Sequence, residues 1–149
     1  MTKPTVFISY SHKDEHWKDR LRPHLGVLEQ QDRITIWDDR RFDAGAEWYN
    51  EIQQAMERAA VAVCLISADY LASDFCVKEE VPYLPERRDK EGLHIFPVIV
   101  KPCVWQTVGW LSRMQARPKD GRPLSAGDEH QIDADLAAIA TEVHDLLKL

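Results

Sequence analysis

Side chains able to do chemistry fall at a few places along this chain. Ser9-Tyr10-Ser11, Asp38-Asp39 and Ser67 each stand at the end of an apolar, β-branched run, followed by polar residues. Hydroxyls and carboxylates at such ends are in position to meet a ligand. Arg40-Arg41 and Arg87-Arg88 are too short for a basic tract, and read as solvated surface rather than as contacts for a phosphate-bearing small molecule. Six histidines show no HExxH motif, and the three cysteines (Cys64, Cys76, Cys103) form no CxxC pair. No metal, structural zinc or disulfide framework is therefore expected.

The elements that must position these groups follow from periodicity. Residues 5–10 (TVFISY) read as a first strand, stopped by Ser11-His12-Lys13-Asp14. Trp17, Leu21, Leu25 and Leu28 recur at helical spacing, with Pro23 set to kink that helix or start a new one within it. Residues 34–37 are a short second strand, and 38–46, with Gly45, read as a loop. Trp48, Ile52, Ala55, Met56 and Ala59 stripe a second helix. Residues 61–66 (VAVCLI) suit a central parallel strand covered on both faces. A loop is expected after Ser67, then a helix from about Asp74. Residues 95–100 form a fourth strand whose Pro97 argues for an edge or a bulge. The stretch 101–127 reads as irregular, with Met114, Trp105 and Trp110 as packing residues. A last helix carries Ile132, Leu136, Ile139, Val143 and Leu146.

Strands alternating with helices predict an α/β fold: a flavodoxin-like open parallel sheet of about five strands, with helices on both faces. In such sheets ligands sit beyond the carboxyl ends of the strands, at the switch in strand order. Ser9-Tyr10-Ser11, Asp38-Asp39 and Ser67 all fall there. The 149 residues suit one domain. The longest apolar stretch, residues 59–66, is far short of the ~20 that span a bilayer, and the first residues lack the apolar core of a signal peptide. A cytoplasmic protein without membrane contact is the expectation. Of the net charge of −6, residues 126–149 hold −5, and an acidic end repels phosphate backbones. Nucleic acid is not expected as a partner.

Three families with this layout are disfavoured by their motifs. The first strand is followed by SYSHKDEH, which has no glycine, against a GxGxxG dinucleotide site. No GxxxxGK[ST] is present, and the central strand ends in Ser67 where a phosphoacceptor domain needs Asp. The chain instead resembles the Toll/interleukin-1 receptor (TIR) domain over essentially its whole length. Val6-Phe7-Ile8-Ser9-Tyr10-Ser11 resembles the opening motif. Ile36-Trp37-Asp38-Asp39, Phe42-Asp43-Ala44-Gly45 and Trp48-Tyr49-Asn50-Glu51-Ile52 are similar to the second strand, the BB loop and the next helix. Val63-Cys64-Leu65-Ile66-Ser67 is similar to the third strand, and Ile95-Phe96-Pro97-Val98-Ile99 to the fourth. Ser73-Asp74-Phe75-Cys76-Val77-Lys78-Glu79-Glu80 resembles the segment that carries the acid of catalytic members. The wording is closer to bacterial members than to animal adaptors.

The resemblance implies an NAD+ nucleosidase that cleaves the nicotinamide–ribose bond, giving nicotinamide and ADP-ribose or a cyclic ADP-ribose. NAD+ is then a substrate, and no cofactor is implied. The family's acid follows an aromatic by four residues. Phe75 and Glu79 meet that spacing, which puts both on one helix face, while Glu80 points about 100° away. Glu79 is thus the implied catalytic residue. Phe75 stands where many active members carry Trp, which implies weaker stacking. Tyr10, Ser11, His12, Asp43, Gly45, Trp48 and Phe75 are the implied substrate-binding residues. Trp48 also begins its helix's apolar stripe, and His12 reads equally as a surface histidine. The resemblance further implies self-association with other TIR domains, a fused or associated sensor domain, and bacterial immune (antiphage) signalling. Under the alternative, the chain is a non-catalytic TIR module that assembles complexes through its BB loop. Residues 1–149 are read as a single TIR domain, either whole or excised from a longer protein.

Overall fold

The computed structural model describes residues 3–38, 59–72, 93–112, 114–118 and 121–147. The expected BB loop, the helix striped by Trp48 and the helix from Asp74 lie outside them.

Four strands, β1 (Thr5–Ser9), β2 (Thr35–Asp38), β3 (Ala59–Ile66) and β4 (His94–Ile99), form one sheet in the order β2-β1-β3-β4. All three pairings are parallel, with Val6 opposite Ile36, Ile8 opposite Val63 and Val63 opposite Phe96. Arg117 extends the outer edge of β4. Its N–H donates to the Pro97 carbonyl at 2.8 Å, and its carbonyl accepts from Ile99 N–H at 2.7 Å. Pro97, which has no N–H, therefore turns its missing donor to the outer edge, where a ladder loses least. The fifth strand of the expected sheet is represented, among the described residues, by this single bridge.

Side-chain alternation splits the core in two. Val6 and Ile8 of β1, Val61, Val63 and Leu65 of β3, and Phe96 and Val98 of β4 face one side. There they meet Trp17, Leu21, Leu25 and Leu28 of α1 (Glu15–Gln30) and Ile132, Leu136, Ile139 and Val143 of the last helix (Glu129–Leu146). Each such aliphatic side chain contributes roughly 1.5–3 kcal/mol when fully buried. Phe7, Ala62, Cys64, Ile66 and Ile99 face the other side, against Tyr70 of α2 (Ala68–Ala72) and Leu111 of α3 (Gly109–Ser112). The last helix is α4, and its N-cap Asp128 accepts from Gln131 N–H at 2.8 Å.

Two local expectations are settled. Of the two alternatives for Pro23, a new start is ruled out, because α1 runs through it from Glu15 to Gln30. No loop follows Ser67, because α2 begins at once, with Ser67 Oγ accepting from Tyr70 N–H at 3.1 Å. A serine capping an Ala-Asp-Tyr-Leu run satisfies an otherwise orphaned helix donor. The expected irregular stretch also contains α3 and two 3-10 turns, at Trp105–Thr107 and Leu124–Ala126.

Candidate functional site

Strand order decides where the polar ends meet. β2 and β3 lie on opposite sides of β1, so the order reverses between β1 and β3, and the carboxyl ends of these two strands are where open parallel sheets receive ligands. After β1 the chain makes a 3-10 turn, His12–Asp14, closed by Asp14 N–H donating to the Ser11 carbonyl at 2.8 Å. This turn drives Asp14 under the edge of the sheet, where it is fully buried. Ser67, just past β3, donates its hydroxyl proton to Asp14 Oδ2. Lys101, just past β4, places Nζ 3.4 Å from Asp14 Oδ1. Three adjacent strands thus deliver a carboxylate, a hydroxyl and an ammonium to one point.

A second buried contact lies beside it. Ser9 Oγ and Tyr70 Oη share a hydrogen bond of 2.9 Å. Ser67 therefore joins two systems: it donates to Asp14 and caps the helix that carries Tyr70. Cys103 also approaches this edge. Burial pushes its thiol up from the ordinary range, a backbone hydrogen bond from Trp105 opposes that rise, and the charge of Asp14 adds to it.

The candidate residues are placed as follows. Tyr10 is 2% exposed, in the core beneath α1, with Lys18 Nζ 5.5 Å from its ring centre. Ser11 is also buried and accepts from Lys13 N–H at 3.3 Å. His12 is exposed at the rim. Asp38, at the end of β2, faces Arg22 Nη1 of α1 at 3.5 Å. Asp43, Gly45, Trp48, Phe75 and Glu79 lie outside the described residues.

Asp14, Lys101 and Tyr70 were not singled out by sequence reasoning as site residues. The one signal for Asp14 was its place directly behind the first-strand motif. His12 and His16 do stand four residues apart, but His12 lies in the 3-10 turn and His16 packs on Trp17 with ring centres 4.9 Å apart. Among the described residues no group of three His, Cys, Asp or Glu could hold a metal ion, and no helix is long and apolar enough to cross a membrane. Two cavities open elsewhere. One of about 530 Å³ is lined by Trp105, Arg117 and Glu142 among others, and one of about 340 Å³ lies between α1 and α4. Neither includes Ser9, Asp14, Ser67 or Lys101.

The family model for the TIR domain matches residues 6–134, which runs from within β1 through β4 and includes the strand-end cluster. The chain belongs to the TIR-domain family. An uncharacterized protein, y4lF of Sinorhizobium fredii, is 34% identical over 122 residues. That match covers 82% of this TIR domain but only 38% of the relative's length. Two solved structures share the fold. One is the TIR domain of the Toll-related receptor TRR-2 of Hydra magnipapillata, with 21% identity, a TM-score of 0.52 and coverage of 74% of this chain and 80% of that one. The other comprises the TIR domains of the activated Roq1 resistosome that recognizes the effector XopQ. It has 20% identity, a TM-score of 0.54 and coverage of 93% and 84%.

Proposed function

We propose that this TIR domain cleaves NAD+ between nicotinamide and ribose, with Glu79 as its essential carboxylate. The observation that carries this is the aromatic–acid pair Phe75 and Glu79 at four-residue spacing, inside the segment matched to the TIR family. The reversal of strand order between β1 and β3 supports it, since an open parallel sheet receives its ligand at that point.

One carboxylate is enough for the chemistry. Nicotinamide leaves as a neutral molecule from a cationic pyridinium, so its departure needs no proton. The transition state is oxocarbenium-like, as in glycoside hydrolysis. An ionised Glu79 accepts hydrogen bonds from ribose hydroxyls and stabilises the growing positive charge. Its loss costs about 3 kcal/mol or more of transition-state stabilisation, by analogy with single-group deletions at other electrostatic sites. Water capture gives ADP-ribose; capture by the adenine of the same molecule gives a cyclic product.

Assembly is part of the reading. A structural neighbour is a set of TIR domains in an activated resistosome, and a pocket completed by a neighbouring copy makes turnover depend on association. The chain spans 38% of its bacterial relative, which leaves room in such proteins for a sensor domain. NAD+ depletion in antiphage defence, in the cytoplasm, is the cellular role we attach to it. A TIR module that assembles without catalysis is the competing reading.

The test is nicotinamide release from NAD+ at high protein concentration, wild type beside Glu79→Ala, with folding of both checked by circular dichroism. Release by wild type alone, rising more steeply than linearly with protein concentration, is expected. Release by both variants removes Glu79 from the site. Silence from both, even when fused to an oligomerising partner, leaves the assembly module.

A further inference from the structure

The mechanism above uses neither Asp14 nor Lys101, although they pair a fully buried carboxylate with a partly exposed ammonium just past the strand ends. Asp14 is fully buried, and its Oδ1 has no hydrogen-bond partner among the described residues; Lys101 at 3.4 Å supplies its ionic counterpart. The Lys101 side chain is 42% exposed, so its ammonium lies between the buried carboxylate and solvent. Lys13, the neighbouring cation, is 74% exposed and faces Asp69 at 3.8 Å, without a tether to the core.

From this geometry we infer that Lys101 binds a phosphate of the dinucleotide substrate, and that Asp14 is the positioning residue that holds it there. The inference rests on the NAD+ reading above and deepens it. A lysine ammonium has three donors. The side toward Asp14 takes one direction, and the exposed side leaves donors for an anion beyond the strand ends, where such sheets bind ligands. A free surface lysine loses its rotamer freedom when it captures a ligand, whereas one already held by a fixed charge has lost part of it before the ligand arrives. Ser67 completes the arrangement: its proton goes to Asp14 Oδ2 and so leaves Oδ1 for Lys101. A point charge of this kind suits a pyrophosphate, whose negative charge is spread over several oxygens.

The experiment is an NMR titration of the wild type, Lys101→Ala, Lys101→Arg, Asp14→Asn and the Asp14→Asn/Lys101→Ala pair with ADP-ribose and, separately, with adenosine. ADP-ribose carries the pyrophosphate and lacks the scissile bond, so binding is read whether or not the protein turns over. Lys101→Ala is expected to weaken ADP-ribose by about tenfold or more and leave adenosine unchanged, with Lys101→Arg restoring most of the affinity. Asp14→Asn is expected to weaken ADP-ribose in the wild type and add nothing in the Lys101→Ala background. An unchanged ADP-ribose affinity in a Lys101→Ala protein, beside a wild type that releases nicotinamide, overturns this inference and leaves the enzyme standing. Equal losses for ADP-ribose and adenosine make the pair merely structural. A further loss from Asp14→Asn on top of Lys101→Ala removes Asp14 as the positioning residue. A wild type that neither binds ADP-ribose nor releases nicotinamide sinks the NAD+ reading and this inference together.

Discussion

Ser9 Oγ and Tyr70 Oη meet at 2.9 Å in the buried space between β1 and α2, joining residues 61 apart in the chain. Both side chains are wholly shielded from solvent, so the bond ties a strand end to the helix that follows the neighbouring strand. Tyr70→Phe keeps the ring and deletes the bond. A loss of about 1 kcal/mol is expected, seen as a fall of roughly 2–4 °C in the thermal midpoint. A midpoint equal to wild type means the bond makes no net contribution.

Gly121 has φ +73°, and a Cβ built there meets Trp105 Cζ2 at 2.5 Å. Gly121→Ala combines the left-handed backbone, worth about 1–2 kcal/mol against a Cβ-bearing residue, with a collision against an indole ring. A loss of at least about 2 kcal/mol in urea unfolding is expected. In a Trp105→Ala background the steric part disappears and only the backbone part remains. Equal losses in both backgrounds argue against the collision.

Lys18 sits within the apolar stripe of α1, its side chain 1% exposed and its Nζ 2.6 Å from Asp19 Oδ1. The aliphatic stem does the packing, and both acidic partners, Glu15 and Asp19, are about half exposed. Lys18→Met keeps the volume and avoids a buried ammonium, so its stability should fall within about 1 kcal/mol of wild type. Lys18→Ala leaves a hole and should cost about 2–4 kcal/mol. Comparable losses from both substitutions make the charge, not the stem, the source of stability.

Cys103 is held in its thiol form, first by burial and then by the charge of Asp14, against the Trp105 amide. A raised pKa in the folded state means its contribution to stability is present below the unfolded thiol pKa and is lost as pH rises through the folded one. Iodoacetamide labelling of Cys103, read by peptide mass spectrometry, should therefore be slower at pH 8 in the folded protein than in urea. It should accelerate only at a more alkaline pH than for a free thiol. Faster labelling in the folded state at pH 8 contradicts this.

Much of the scaffold was legible because its signals are local. Residues 61–66 are apolar throughout, and in the structure β3 is the central strand, covered on both faces. The stripe Ile132, Leu136, Ile139 and Val143 follows from a 3.6-residue period and is buried as read. Pro97 pointed to an edge because a residue without N–H can be placed only where no ladder needs the donor. Helix α2 was missed although its signals, a serine cap and an Ala-Asp-Tyr-Leu run, are also local; five residues are too few for periodicity to show. Lys18 was missed for another reason. Its type says surface, and only the packing of Tyr10 against α1 buries it.

The sequence by itself determined the family, through motifs in order over residues 6–134, and the faces of the strands and long helices, because alternation and helical spacing are properties of neighbouring residues. Only the tertiary structure decided which polar groups share a place. Asp14 and Ser67 are 53 residues apart, and Lys101 comes from yet another connection. Nothing in their spacing couples them. They meet because the parallel order β1-β3-β4 brings three strand ends to one edge, where a buried carboxylate, cut off from water, must find a donor and a counter-ion among whatever those ends carry.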